Sequence, residues 1–251
     1  MSIEKATPKG KGYMLKHIVD TGAVIVAAIG AAGIAAGYIG AIDALHLNPA
    51  APGDRKKVAC VGDSITYGCF VAGQPWNSYP RQLGKLLGDD YYVANFGYTN
   101  RTATKSADHP YTSEKLYTKS LEFRPDIVLI MLGTNDTKAH NWDPAAYRRD
   151  MTDIINSYLE IDSHPEVIIL LPPPVFTIHR RVMWQIRGDI LAHEVIPALR
   201  KIAGEKGLRV IDTNGPFMLK RRLFVDGVHP NAEGAKLLAR TVFEDLKNIE
   251  D

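Results

Sequence analysis

From residue 57 onward the chain alternates short apolar runs with longer stretches in which apolar residues recur every three or four positions. The runs at 58–61, 91–94, 127–132, 167–171 and 208–211 have strand length, and the third, IVLIML, contains no polar residue. Unbroken apolar strands are expected where both faces of a sheet are covered. Between the runs, residues 79–87, 145–159, 186–203 and 232–246 carry helical periodicity, with a weaker pattern at 113–122. Strands alternating with helices predict a parallel five-stranded sheet clad by helices on both faces and joined by right-handed crossovers. The expected fold class is α/β, doubly wound. Ligands of such sheets bind beyond the carboxyl ends of the strands, so the residues there become the candidates for chemistry.

The first 56 residues follow another pattern. Residues 21–42, TGAVIVAAIGAAGIAAGYIGAI, hold no charge and are bounded by Asp20 and Asp43. A helix of that length spans roughly 33 Å at about 1.5 Å per residue, enough for a hydrocarbon core of about 30 Å. The expectation is a single transmembrane anchor, with a long signal peptide as the other reading. Lys5, Lys9, Lys11 and Lys16 precede the segment, a bias that places the bulk of the protein outside the cytoplasm, secreted if the segment is cleaved. The organisation is then a basic tail at 1–20, the anchor or signal segment at 21–42, a Pro- and Ala-rich linker at 43–56 and one domain at 57–251.

Composition narrows the function classes. A chain of 251 residues, 45% hydrophobic and 23% charged, has an ordinary globular balance with room for one large core. A net charge of +2 gives no reason to expect nucleic acid as a partner, and Arg55-Lys56-Lys57 and Lys220-Arg221-Arg222 read as solvated loop residues. Cys60 and Cys69 are the only cysteines, which excludes a disulfide framework and a four-cysteine metal site. Cys60, in an apolar run, reads as a buried thiol, and a bridge to Cys69 stays open. The chain has no HExxH, P-loop or GxSxG motif, so zinc proteolysis, nucleotide hydrolysis and the α/β-hydrolase elbow are unsupported. No metal or cofactor is expected.

Near the end of the chain, Asp226 and His229 sit three positions apart on a turn, where carboxylate and imidazole can meet. The plainer reading is a turn before a helix capped by Asn231. After the first strand comes VGDSITYG with Ser64, after the second NFGYTNRT with Gly97, and after the third LGTNDT with Asn135. Singly, each has a structural use as a cap, a tight turn or a loop brace. Together they place a hydroxyl, a base with its carboxylate and amide donors at one pole of the sheet.

These blocks resemble the SGNH subgroup of the GDSL esterases and lipases. Gly62-Asp63-Ser64-Ile65 matches the family's first block, Asn95-Phe96-Gly97 the second, Gly133-Thr134-Asn135-Asp136 the third and Asp226-Gly227-Val228-His229-Pro230 the last. Ile65 replaces the customary Leu, and Asn100 stands where a second glycine is common; Asn tolerates left-handed backbone better than other side chains. The resemblance implies a three-layer flavodoxin-like domain and assigns Ser64 as nucleophile, His229 as its base and Asp226 as the residue that orients the imidazole. It implies an oxyanion hole made of the Ser64 and Gly97 backbone N–H groups and the Asn135 amide, with the bare Gly97 letting the acyl group approach.

The wording around the blocks is most similar to the carbohydrate O-acetylesterase branch, including sialate- and xylan-type proteins. That implies a small-molecule or glycan ester as substrate, with acetyl as the group removed. Trp142 and Trp184 are candidate walls for a sugar ring, as is Trp76. The long loop 172–188 is expected to cover one side of the site. Its charges His179, Arg180, Arg181 and Arg187 read as solvated, or as contacts for an acidic sugar or a phosphate. Two other functions fit the same residues: a lysophospholipase or thioesterase, and a catalytically silent glycan-binding module held at a membrane.

Overall fold

A computed structural model describes residues 53–177 and 183–247. The segment at 21–42 lies outside the described residues, with most of the linker and with His179, Arg180 and Arg181. Among the described residues no helix is long and apolar enough to cross a membrane.

Five strands form one parallel sheet: β1 (Lys56–Gly62), β2 (Tyr91–Gly97), β3 (Ile127–Met131), β4 (Glu166–Leu170) and β5 (Arg209–Ile211), in the order β2-β1-β3-β4-β5. The period of two along each strand divides the core. Val58 and Cys60 of β1, with Ile127, Leu129 and Met131 of β3, face helices α1 (Tyr79–Leu87) and α5 (Ala232–Lys247), which contribute Leu83, Leu87, Leu238 and Val242. Ala59, Val61, Val128 and Ile130 face the other way. There they meet Leu116 of α2 (Lys115–Glu122), Met151, Ile154 and Ile155 of α3 (Pro144–Leu159), and Leu199 and Ile202 of α4 (Ile196–Lys206). Each such side chain, taken wholly out of water, contributes about 1.5–3 kcal/mol, and this two-sided burial is why β3 carries no polar residue.

Local chemistry sets the helix ends. Asp143 accepts from the Ala145 and Ala146 N–H groups and Pro144 opens α3. Asn231 accepts from Gly234 N–H at 3.0 Å at the start of α5, so the capping use of Asn231 holds. The stretch expected as one helix over 186–203 is a short turn at Gly188–Ile190, a π-helical turn at Leu191–Val195 and then α4. Pro197 is the reason: it has no N–H for the carbonyl four residues earlier, and its ring crowds that turn open. β2 runs three residues past the expected 91–94, because Asn95, Phe96 and Gly97 still pair with Cys60, Val61 and Gly62.

From β1 the chain moves outward to β2 and then returns to β3 on the opposite side of β1. Strand order therefore reverses between β1 and β3, and the loops that leave these two strands lie side by side at the resulting crevice.

Candidate active site

The crevice collects the four blocks. Asp63 follows β1 and caps a single helical turn, Ser64–Tyr67, by accepting from Ile65 N–H at 2.9 Å. That turn lifts Ser64 above the sheet. Two close approaches hold it there. A Cβ on Gly62 would lie 2.6 Å from the Met131 carbonyl oxygen, and one on Gly97 would fall on the Tyr67 nitrogen and 2.6 Å from the Thr66 carbonyl carbon. Gly97 is thus bare so that the Ser64–Tyr67 turn can pack on β2.

Ser64 Oγ is 2.9 Å from His229 Nε2, and His229 Nδ1 is 2.7 Å from Asp226 Oδ2. A carboxylate can only accept, so Nδ1 carries the proton and Nε2 is left to accept from the serine hydroxyl. Asp226 Oδ1 accepts from the backbone N–H groups of Val228 (3.0 Å) and His229 (2.8 Å), which fixes the turn that sequence spacing had suggested. Gly227 takes φ 87° between them. Burial by itself would push the Asp226 carboxyl up. The hydrogen bond and charge of His229, its backbone N–H and the Trp184 indole together hold it well below the usual carboxylate range.

The three candidate oxyanion donors sit at this same pole in different states. Ser64 N–H lies in the first turn of its helix and has no intrahelical acceptor. Gly97 N–H donates to Asn95 Oδ1 at 2.9 Å. Asn135 Nδ2 donates to the Arg101 carbonyl at 3.1 Å and reaches Asp63 Oδ2 at 3.4 Å, the latter long enough to yield readily to a better acceptor. The loop bearing Asn135 is braced from below. Fully buried Asp136 accepts from Ala103 N–H, Thr104 N–H and the Thr104 hydroxyl, although burial still leaves its carboxyl above the ordinary value. Asn141 donates to the Asn135 carbonyl and to Asp108, which Lys138 also reaches at 3.2 Å. Burial opposes ionisation of Asp108, yet these donors and His140 bring its carboxyl down to about 2. Lys138 Nζ bonds Asn100 Oδ1 at 2.6 Å, and Asn100 takes φ 67°, the left-handed backbone expected for it.

Of the tryptophans, Trp184 is at the site, half-exposed, its ring centroid 6.4 Å from that of His229. Trp142 instead packs on the core beside Tyr147 and donates to Glu194 of the π-helical turn. Trp76 is exposed on the turn Gln74–Asn77. Loop 172–188 does reach the site: Phe176 N–H bonds the Gly227 carbonyl and Arg187 N–H the Thr137 hydroxyl. Sequence reasoning missed Phe70, whose ring lies 5.1 Å from His229, and the buried carboxyl of Asp63, pushed up to about 6 chiefly by burial. Cys60 and Cys69 are free, buried thiols, both raised to about 12 by burial. Among the described residues no group of three or more His, Cys, Asp or Glu side chains is placed to hold a metal ion.

The family model described as GDSL-like lipase/acylhydrolase matches residues 60–237, a span that takes in all four blocks. The chain belongs to this family of carboxylic ester hydrolases. An acetylxylan esterase of Xylanibacter ruminicola is 34% identical over 220 residues, 79% of this chain. That match covers 45% of the acetylxylan esterase, so this chain spans under half of that relative's length. The GDSL esterase/lipase CPRD49 of Arabidopsis thaliana is 22% identical, over 78% of this chain and 80% of its own length. Among solved structures, Est24, a carbohydrate acetylesterase from Sinorhizobium meliloti, aligns with a TM-score of 0.64 at 20% identity, over 78% of this chain and 100% of its own. The M. smegmatis aryl esterase aligns with a TM-score of 0.61 at 22% identity, over 77% of this chain and 99% of its own. These two likenesses show that the α/β fold is shared.

Proposed function

We propose that this chain is a serine esterase that removes short acyl groups, acetyl foremost, from carbohydrate hydroxyls. The observation that carries the reading is the unbroken run of hydrogen bonds from Ser64 through His229 to Asp226, at 2.9 and 2.7 Å, beside Asn135. Ser64 Oγ attacks the ester carbonyl while its proton passes to His229 Nε2; Asp226 keeps the ring oriented and stabilises the imidazolium. The carbonyl oxygen gains negative charge as the carbon becomes tetrahedral. Ser64 N–H receives it, with Asn135 Nδ2 turning from its long bond to Asp63 and Gly97 N–H sharing its proton with Asn95. His229 then returns the proton to the departing sugar hydroxyl, leaving an acyl-serine, and a water activated by the same ring releases the acid.

The acetyl and carbohydrate assignment draws on the acetylxylan esterase at 34% identity and on the residues around the blocks. Trp184 supplies a half-exposed aromatic face for a sugar ring at the mouth of the site. On this reading residues 21–42 tether one hydrolase domain, 57–251, outside the cytoplasm. The test is acetate release from acetylated xylo-oligosaccharides, acetylated sialic acids and acetylated peptidoglycan fragments, with a long-chain lysolipid as comparator. Release from at least one glycan, with little turnover of the lysolipid, is expected; turnover of the lysolipid alone would replace this reading with a phospholipase.

A further inference from the structure

Asp226 Oδ2 accepts a second side-chain hydrogen bond besides that of His229: Trp184 Nε1–H donates to it at 2.7 Å. From this geometry, and resting on the esterase reading above, we infer that Trp184 is a positioning residue, which locks the Asp226 carboxylate against His229 and tempers its pull on the imidazole proton.

Three observations converge on this role. Trp184 and Gln185 both adopt left-handed backbone, φ 59° each, a conformation disfavoured for any residue with a Cβ. Phe70 does the same at φ 62°. Two of these strained residues meet at the site: the Phe70 ring stacks on the Trp184 indole at 6.2 Å and 26° and stands edge-on to His229 at 5.1 Å. Strain kept at such a point marks a geometry that the surrounding structure enforces. The indole is also committed chemically. It has one donor and no acceptor, so its orientation is set by the carboxylate.

The consequence for the reaction follows from the acceptor count. Oδ1 of Asp226 is fixed by two backbone N–H groups. Among the described residues Oδ2 is held by the side chains of His229 and Trp184, so removing the indole N–H leaves that oxygen with His229 as its described partner. It becomes freer to rotate and more negative, and the imidazolium becomes easier to form. Turnover should fall from lost alignment while the acid limb of the pH–rate profile moves to higher pH. The other titratable groups around the pair, Asp63 through its charge on His229 and Cys69 beside Asp226, are untouched by the change.

Trp184→Phe keeps an aromatic wall and deletes the donor. The expected result is a fall in kcat of about tenfold to a hundredfold, the usual effect of a lost hydrogen bond to a charged group, a KM within about threefold of wild type, and an acid limb moved up the pH scale. The Trp184 Nε1–H signal should differ between the wild-type protein and Asp226→Asn, a readout that needs no turnover. A Trp184→Phe enzyme with unchanged kcat and pH profile, or an indole signal indifferent to Asp226→Asn, would overturn the inference. His229→Ala serves as the control: loss of activity there with a wild-type-like Trp184→Phe sinks this inference alone, whereas an active His229→Ala sinks the esterase mechanism itself.

Discussion

At the scale of single residues, a charge that is costly to hold lies beside Ser64. Asp63 is 1% exposed and its carboxyl rises from 3.8 to about 6, mainly through burial. The folded protein thus binds this proton more tightly than the unfolded chain, and stability falls as pH rises between about 4 and 6, remaining lowered above. Asp63→Asn keeps an oxygen for Ile65 N–H and removes that dependence. Its stability relative to wild type should therefore improve by about 1–3 kcal/mol between pH 4 and pH 7.5, read from urea midpoints at both pH values; a constant difference would show that Asp63 ionises freely in its buried place. Asn135→Ala removes one of the proposed oxyanion donors and leaves the proposed Ser-His-Asp relay intact. It should lower kcat roughly a hundred- to a thousandfold with a smaller change in KM, measured on p-nitrophenyl acetate. Ser64, Asn135, Asp226 and His229 were legible because each lies in a short block whose spacing is local. The bond from Trp184 to Asp226, 42 positions along the chain, and the ring of Phe70 were not, since neither leaves a local pattern.

At the scale of elements, hydrophobic period located the five strands of the described residues and the main helices, because each face of the sheet demands its own apolar set. What it missed were backbone events: the π-helical turn before Pro197 and the extension of β2 to Gly97. The glycines at the sheet pole tie these elements to the site. Gly97→Ala puts a methyl group against the Thr66–Tyr67 backbone, so the Ser64 turn must shift. Overpacking of this kind costs about 1–3 kcal/mol, and here it should also lower kcat, because the displaced element carries Ser64, the proposed nucleophile. A Gly97→Ala enzyme with unchanged melting temperature and kcat would show that the turn has slack. Asn231→Ala, at the start of α5, should by contrast cost about 1 kcal/mol of stability and leave the melting-corrected kcat alone.

At the scale of the whole molecule, parallel strands put Lys56 at one pole of β1 and Ser64 just past the other, about 20 Å apart at the usual rise per residue. Whatever precedes Gly53 therefore joins the domain away from the crevice. A chain beginning at Gly53 should be soluble without detergent and keep kcat/KM within about twofold of the full chain, while the full chain should partition with membranes; loss of secondary structure on truncation would make the N-terminal segment part of the core. The central claim is that His229 activates Ser64 as the nucleophile, and site-mapped labelling by a fluorophosphonate tests it most directly. The account predicts one adduct, on Ser64, formed orders of magnitude more slowly in His229→Ala. An adduct on another side chain, or undiminished labelling of Ser64 without His229, would contradict it.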